Sequence, residues 1–317
     1  MSTYKIKPAN PKGQKTIPLS ERPSLVDVDR FARPIKEGSI QSLLESLPDI
    51  YAGRAFRRLI SELSEAKAGN RMRLFGMGAH VIKVGLNPVL IDLMNSGWIS
   101  GIALNGAGII HDFEIAFAGK TSEDVSSQLE GGRFGMAEET GAFLNEAVRR
   151  GAEKKLGLGE SIGRMIAESE FPFKHFSLLS SAYESGIPVT VHVALGTDII
   201  HCHPDVDGNA IGQTSLQDFF LFTALVERLE KGLYINIGSA VILPEVFLKA
   251  LASARNRGVG PKYFSTAVFD FIKHYRPLQN VATRPVEKQG KGAYFIGHHE
   301  LMIPLLAAAL KYGVTGS

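Results

Sequence analysis

The chain has 317 residues, of which 44% are hydrophobic and 21% charged, and its net charge at pH 7 is +3. These values are typical of a soluble globular protein with a substantial core, and so small a charge gives no indication of nucleic-acid binding. The single cysteine, Cys202, excludes disulfides within the chain and fits a reducing compartment. No secretory signal and no apolar run of about 18 residues is present. We therefore expect a cytoplasmic protein with neither a membrane nor a nucleic-acid partner.

Residues 1–35 are rich in lysine and proline and show little periodicity, which predicts an extended N-terminal arm. Such an arm can lie on a neighbouring subunit or stay disordered, and the sequence leaves both open. Residues 36–317 show no break in composition that would mark a linker, so they predict a single α/β domain. Two short helices are predicted at its start, at Ile40–Leu47 and Gly53–Ala66.

The segment from Met72 to Asp112 organises the predicted domain. Its pattern predicts a βαβ unit, with two parallel strands that each end in a glycine-rich turn. The predicted elements are a strand at Met72–Phe75, a turn at Gly76 and Gly78, a helix to about Asn95, a strand at Trp98–Leu104 and a helix from near Ile109. Such turns are where α/β proteins bind nucleotides and small substrates. The third glycine of the dinucleotide motif, and the acid about 20 residues beyond it, are missing, so no dinucleotide is specified.

Helices and strands alternate from this unit to the C-terminus. The predicted helices are His111–Ala118, Met136–Arg150, Gly159–Glu168, His175–Ser185, Ser215–Lys231, Pro244–Arg255 and His299–Lys311. The predicted strands are Pro188–Leu195, Leu233–Ile237, Tyr263–Phe269 and Ala293–Ile296, with a long loop at 196–212 and an irregular stretch at 273–292. This alternation predicts a doubly wound, mostly parallel sheet with helices on both faces.

The turn after the second strand is the first candidate site. Asn105-Gly106-Ala107 opens a helix that carries His111 and Asp112. One interpretation is a cradle for a phosphate or ribose, in which His111 or Asp112 bonds to a hydroxyl. The alternative is an ordinary turn followed by acids that favour a helix N-terminus.

The loop after the strand at Pro188–Leu195 is the second candidate. Asp198, His201 and His203 lie close together in sequence, and with His192 or Asp205 they could form a metal site. However, H-x-H is common by chance, and no H-E-x-x-H or paired-cysteine motif supports it. We therefore assign no metal and favour a polar loop that contacts substrate or cofactor. His298 and His299, which begin the last predicted helix, could equally face a ligand or cap that helix.

The order of elements from Met72 to the C-terminus resembles the deoxyhypusine synthase family. FGMGAHVIKVGLNPVLIDLMNSGWISGIALNGAGIIHD is similar to that family's strand, helix and Thr-Ala-Gly-Gly turn, and SAYESGIPVTVHVALGTDIIHCHP resembles its Ile-Pro-Val strand and Gly-Asp loop. INIGSAVIL falls where the family has a Leu-Gly-Gly-Gly segment, and the tail from YRP to IPLL aligns without a gap. The resemblance implies a Rossmann-like, NAD-binding α/β fold.

Members of that family bind NAD between the subunits of a tetramer, oxidise spermidine and carry its aminobutyl group as an imine on a lysine. Only an amine can form that imine. In the aligned tail the lysine position is Pro285, and the tryptophan that packs the polyamine is Thr283. Lys288 and Lys291 lie near this position in the sequence, but aligning either of them with the family's lysine would require a gap in a tail that otherwise aligns without one. The resemblance thus implies a homotetramer that does not make deoxyhypusine.

At the positions where the family binds its cofactor, this sequence keeps most of the glycines but has different side chains at the other positions. The cofactor-binding positions that it implies are Gly76, Gly78, His80, Asn105, Gly106, Ala107, Gly238, His298 and His299, and its ribose-binding acid falls on His111. Histidines in place of acids suggest a ligand more anionic than NAD, although NAD stays possible.

Our leading hypothesis is an enzyme acting on a small polar metabolite in a cleft at these strand ends. Its catalytic candidates are His111, Asp112, Asp198, His201 and His203, because imidazole and carboxylate groups serve as acids and bases. Two alternatives stay open. One is a non-catalytic protein that binds a nucleotide or polyamine, and the other is a metal-dependent hydrolase that uses His201 and His203.

Overall fold

The computed structural model describes residues 5–6 and 8–313. Within them, six strands form one sheet in which every neighbouring pair is parallel. The strands are β1 (Arg73–Met77), β2 (Gly101–Asn105), β3 (Val189–His192), β4 (Leu233–Ile237), β5 (Ser265–Asp270) and β6 (Lys291–Ile296). Their spatial order is β3-β2-β1-β4-β5-β6, the order of a doubly wound Rossmann-like fold. The winding direction reverses between β1 and β4, and we call the crevice there the switch point.

Helices surround this sheet. They are α1 (Ile40–Ser46), α2 (Tyr51–Ala68), α3 (His80–Lys83), α4 (Asn87–Asn95), α5 (Gly106–Ala118), α6 (Val125–Leu129), α7 (Glu138–Glu153), α8 (Leu158–Ala167), α9 (Leu178–Glu184), α10 (Gly208–Glu227), α11 (Ile242–Asn256), α12 (Tyr275–Pro277) and α13 (His299–Tyr312). A π-helix at Leu278–Thr283 continues α12, and 3-10 turns occur at Leu19–Glu21, Val28–Arg30, Lys174–Phe176 and Ile199–Cys202.

The sheet separates two hydrophobic clusters because successive side chains of a strand point to opposite faces. On β4, Ile235 belongs to the cluster with α2 and α4, whereas Tyr234 belongs to the cluster with α10 and α11. The Tyr234 ring stacks on Phe247 at 4.0 Å, and the absence of a side chain at Gly76 leaves room for its hydroxyl. All five residues of β1 and of β4 are buried, which explains why both strands are mainly apolar, with Arg73 and Asn236 as the exceptions.

Several predicted boundaries were wrong for identifiable reasons. The helix predicted after Gly78 is two helices, α3 and α4, because Gly85 adopts φ +77° between them. Helix α10 begins at Gly208, inside the predicted loop, because the Asp207 carboxylate accepts from the Asn209 and Ala210 N–H groups and caps it. The stretch predicted to be irregular at 273–292 contains α12 and the π-helix.

The segment 8–39 is exposed throughout and holds only short 3-10 turns, and its Arg33 N–H donates to the Ser46 carbonyl at 2.9 Å. Its role as an arm stays a prediction. Among the helices that the structure describes, none combines the length and the apolar character required to cross a membrane.

Candidate functional site

Two glycines form the floor of the switch point. The Gly78 N–H donates to the Ile237 carbonyl at 2.8 Å, and a methyl group added at Gly78 would overlap the carbonyl of Gly238. Gly238 itself has φ +64°, a conformation that favours glycine. The ends of β1 and β4 can approach this closely only because neither glycine has a side chain.

Aromatic side chains from three other segments converge on these glycines. The ring of His299 lies 5.6 Å from His80 and 5.6 Å from Phe271, and His80 lies 5.5 Å from Phe271, measured between centroids. A Cβ at Gly238 would stand 2.6 Å from Cε1 of His299. His298 stacks on Phe271 at 6.5 Å and is largely exposed. The structure thus brings together five sequence-predicted residues, Gly78, His80, Gly238, His298 and His299, and Gly76 lies two residues before Gly78 in β1.

The hydrogen bonds of His299 define which of its ring nitrogens carries the proton. Nε2 lies 3.3 Å from the Phe269 carbonyl, which can only accept, so Nε2 is the donor. Nδ1 is then a bare lone pair, and within the described residues it has no hydrogen-bond partner. The side chain is fully buried, and burial lowers its pKa. His299 therefore presents a neutral acceptor to the crevice.

Asp270, which the sequence reasoning missed, adds a second buried acceptor. It ends β5 and is 2% exposed, and its Oδ1 accepts from the Phe271 N–H at 2.9 Å. Its Oδ2 has no hydrogen-bond partner among the residues described, with His274 Nε2 at 3.8 Å. The rule that polar residues after buried strands form sites would have found it. Two unpartnered acceptors favour a ligand with hydrogen-bond donors over the more anionic ligand expected from the sequence.

A second polar group lies where β2 and β3 end. A methyl group at Gly106 would overlap the Asp198 carboxylate, so the loop after β3 packs directly on the start of α5. His201 Nδ1 accepts from the N–H groups of Asp198 at 3.3 Å and Gly196 at 3.2 Å. Its proton is consequently on Nε2, a buried donor for which the described residues supply no partner. Asn105 Oδ1 is likewise buried without one, and burial raises the pKa of Asp198.

His111 lies on the second turn of α5, with its Nδ1 2.7 Å from Thr121 Oγ1. Burial, and then the charge of Lys83, lowers the pKa of His111 to about 4, so the ring is neutral at pH 7. Ala107 is half-buried in the first turn of the same helix.

Asp112 has a structural position that argues against the predicted catalytic role. Its carboxylate is fully buried and accepts from Asn87 Nδ2 at 2.8 Å, Ser177 Oγ at 2.5 Å and the N–H groups of Leu178 and Leu179 at 2.8 and 3.1 Å. Burial raises its pKa to about 6, against the opposing effect of these bonds. Asp112 therefore holds the N-terminus of α9 and does not face the strand ends.

His203 and His192 do not form a common site with His201. His203 packs against Gly141 of α7, with Nδ1 3.5 Å from Asp205 Oδ2. His192 Nε2 lies 3.1 Å from Thr190 Oγ1, and its ring packs on Phe222. In the described part of the chain, no group of three or more His, Cys, Asp or Glu residues could hold a metal ion. The metal-site alternative thus has no support.

The position of the family's lysine holds no substitute amine. Pro285 is buried, and its carbonyl accepts from Arg255 Nη2 at 3.0 Å. Lys288 and Lys291 lie at the amino end of β6, the sheet edge opposite the switch point, and Lys291 Nζ is 3.8 Å from Glu62. Lys288 lines the same cleft as Pro285, and this cleft includes no residue of the switch point.

Two clefts in the described residues lie away from the carboxyl ends of the strands. A cleft of about 350 Å³ lies between α7 and α8, and one of about 410 Å³ adjoins Pro285. Neither includes a residue of the switch point. We give the switch point priority because it concentrates buried, unpartnered polar atoms.

No protein-family model and no curated protein matches the sequence. Among solved structures, a LOR/SDH protein from Methanococcus maripaludis S2 superposes with a TM-score of 0.52 at 16% identity, over 81% of this chain and 69% of that chain. AgrE, in its ternary complex with ornithine and NAD+, gives 0.51 at 14% identity, over 81% of this chain. This chain covers 32% of the AgrE chain, so it spans about a third of that protein.

A protein assigned as a deoxyhypusine synthase from Entamoeba histolytica gives a TM-score of 0.50 at 12% identity, over 84% of this chain and 91% of that chain. All three identities are too low to show more than a common fold. The superpositions and the strand order of the sheet both indicate an α/β Rossmann-like fold.

Proposed function

We propose that this chain is a deoxyhypusine synthase-like enzyme that binds NAD at the switch point and acts on a small polar metabolite. One observation carries the proposal: the crevice between Gly78 and Gly238 is lined by buried acceptors, His299 Nδ1 and Asp270 Oδ2, that lack donors. Buried polar atoms without partners cost stability unless a ligand or water satisfies them.

The residues present fit a dinucleotide. Ribose hydroxyls could donate to Asp270 and His299, and the flat side chains of His80 and Phe271 could pack on a ring. When bound, NAD would supply a hydride acceptor. That AgrE binds NAD+ with ornithine supports the use of this fold for such a ligand.

The chain's own residues offer proton transfer at the neighbouring strand ends. The Asp198 carboxylate packs on the start of α5, His201 Nε2 is a buried donor without a partner among the described residues, and His111 is neutral. Hydrolysis or proton transfer is thus as compatible with the site as hydride transfer. Imine formation at the family position is not, because Pro285 has no amine. Deoxyhypusine synthesis is therefore not proposed.

We also propose that the protein is a cytoplasmic homotetramer in which a second copy covers the open edge. Five apolar side chains around the switch point are each more than 40% exposed: Val241, Phe271, Ile272, Tyr275 and Leu301. Exposed apolar side chains around a crevice favour an interface, and covering them would exclude water from a ligand between the subunits.

Calorimetric titration of the full chain with NAD+ tests the proposal, alongside native mass spectrometry of the same sample. Asp270→Asn should weaken NAD+ binding at least tenfold, because a charged acceptor is lost. Asp92→Asn, which changes an exposed carboxylate paired with Lys311, should leave it unchanged. No binding by the unmodified chain, or equal loss in both variants, would contradict the proposed site.

A non-catalytic NAD- or polyamine-binding protein is the second candidate, and the loss of the lysine position at Pro285 favours it. Stoichiometric binding of NAD+ or a polyamine, without NADH formation when amines, amino acids and hydroxy acids are tested as substrates, would favour the non-catalytic protein over the enzyme.

A further inference from the structure

Three side chains form a continuous hydrogen-bonded chain beside the β2 end. His111 Nδ1 lies 2.7 Å from Thr121 Oγ1, and Thr121 Oγ1 lies 2.5 Å from Glu114 Oε2. His111 and Glu114 are themselves 3.9 Å apart, so the threonine hydroxyl is the link between them. His111 and Glu114 lie one turn apart on α5, and Thr121 reaches them from the segment that follows the helix.

The direction of the protons in this chain follows from what each group can do. The Glu114 carboxylate only accepts, so the Thr121 hydroxyl donates its one proton to it. The Thr121 oxygen can then only accept from His111, which requires the imidazole proton on Nδ1. Nε2 is left as a lone pair, because the bond made by one ring nitrogen sets the state of the other.

Helix α7 holds the carboxylate in place from the other side. Thr140 Oγ1 donates to Glu114 Oε1 at 3.2 Å, so both carboxylate oxygens are fixed while only one faces the imidazole chain. The His111 side chain is 15% exposed, so it is neither sealed in the core nor free to rotate in solvent. Glu114 and Lys83 are the charged groups that face it, and burial together with Lys83 keeps the ring neutral at pH 7.

We propose that His111 Nε2 accepts a hydrogen bond from a hydroxyl or amine of the bound metabolite, and that Thr121 and Glu114 are positioning residues that preset its tautomer. No proton is transferred in this contact: the ligand keeps its O–H or N–H bond, and the neutral imidazole offers the lone pair on Nε2. The Nδ1 proton stays directed at Thr121. The inference rests on the proposed function for its ligand, whereas the tautomer can be tested without one.

Two-bond ¹H–¹⁵N correlation spectra of ¹⁵N-histidine-labelled full chain at pH 7 report the tautomer directly. We expect His111 to show a protonated Nδ1 and a bare Nε2. Thr121→Val should abolish that pattern in favour of the opposite or mixed tautomer, and Thr121→Ser should restore it. Thr140→Val is the matched control, because it removes the bond to the other Glu114 oxygen and should leave His111 as it is.

Diethyl pyrocarbonate, which acylates bare imidazole nitrogens, tests whether Nε2 is available to react. Peptide mass spectrometry should find His111 acylated in the unmodified chain, at a rate that falls several-fold in Thr121→Val and not in Thr140→Val. Circular dichroism confirms that each variant is folded. A protonated Nε2 in the unmodified chain, or a His111 that stays unmodified, overturns the proposal. Because neither readout uses NAD+, failure here is distinct from failure of NAD+ binding.

Discussion

The carbonyl of Gly238 occupies the space that any side chain at Gly78 would need. These two residues directly follow β1 and β4, the pair between which the winding of the sheet reverses, and the Gly78 N–H donates to the carbonyl of Ile237, the last residue of β4. The contact closes the floor of the crevice and brings His299 against Gly238. A crevice at this point is where open α/β sheets bind their ligands.

Replacing Gly238 with alanine should damage both stability and the site. The substitution forces a side chain into a φ of +64° and places its Cβ 2.6 Å from His299 Cε1. We expect a loss of about 1–3 kcal/mol in the free energy of unfolding and a loss of NAD+ binding. Gly212→Ala within α10 meets no neighbour within 4 Å and should instead stabilise by about 1 kcal/mol. Urea unfolding measures both, and equal effects would contradict the special role of Gly238.

Asp270→Asn should stabilise the unliganded chain while weakening ligand binding. A buried carboxylate oxygen without a partner is costly, and neutralising it should recover about 1–3 kcal/mol. Thermal unfolding with and without NAD+ measures both effects. A variant that is less stable than the unmodified chain in the absence of ligand would show that Asp270 has a structural role instead.

Asp112→Ala should destabilise strongly without altering the strand-end site directly. It removes the acceptor of two side-chain donors and of the Leu178 and Leu179 N–H groups, all of them in a buried environment. We expect a loss of about 3 kcal/mol or more. Asp92→Ala breaks only an exposed ion pair with Lys311, so about 0–1 kcal/mol is expected. Chemical denaturation of the two variants gives the comparison.

His111 should make the fold less stable as the solution is acidified. Its pKa is lowered from 6.5 to about 4, so between these values the unfolded chain binds the proton that the folded chain excludes. The contribution is fully present above pH 6.5 and is lost as pH falls toward 4. Asp112, with its pKa raised to about 6, acts in the opposite direction between pH 6 and 3.8.

Lys83→Met should raise the pKa of His111, since the lysine charge is the second cause of the lowering. The pH range over which protonation of His111 destabilises the fold then becomes narrower. Histidine NMR titration against Lys154→Met, a lysine that lines the cleft between α7 and α8, measures the shift. An unchanged His111 titration would show that burial alone sets its state.

The sequence alone correctly predicted that helices and strands alternate along the chain. Leu233–Ile237 is a strand with the predicted bounds, because a short, mainly apolar run between polar segments suits a strand buried on both faces. The glycine pattern also located the turn at Gly78, whereas α5 begins directly at Gly106, three residues before the predicted start near Ile109. Helix interruptions such as the one at Gly85 were missed, because local periodicity does not register one residue with positive φ.

Which polar residues meet was decided only by the tertiary structure. Asp112 and His111 are adjacent on α5, yet one points into the core toward α9 and the other toward Thr121, because successive helix residues face different directions. Asp270 and His299 meet through packing of strand ends that are distant in sequence. Sequence alone thus determined the secondary structure and the kind of sheet, which depend on local pattern, whereas long-range packing selected the buried, unpartnered atoms of the site.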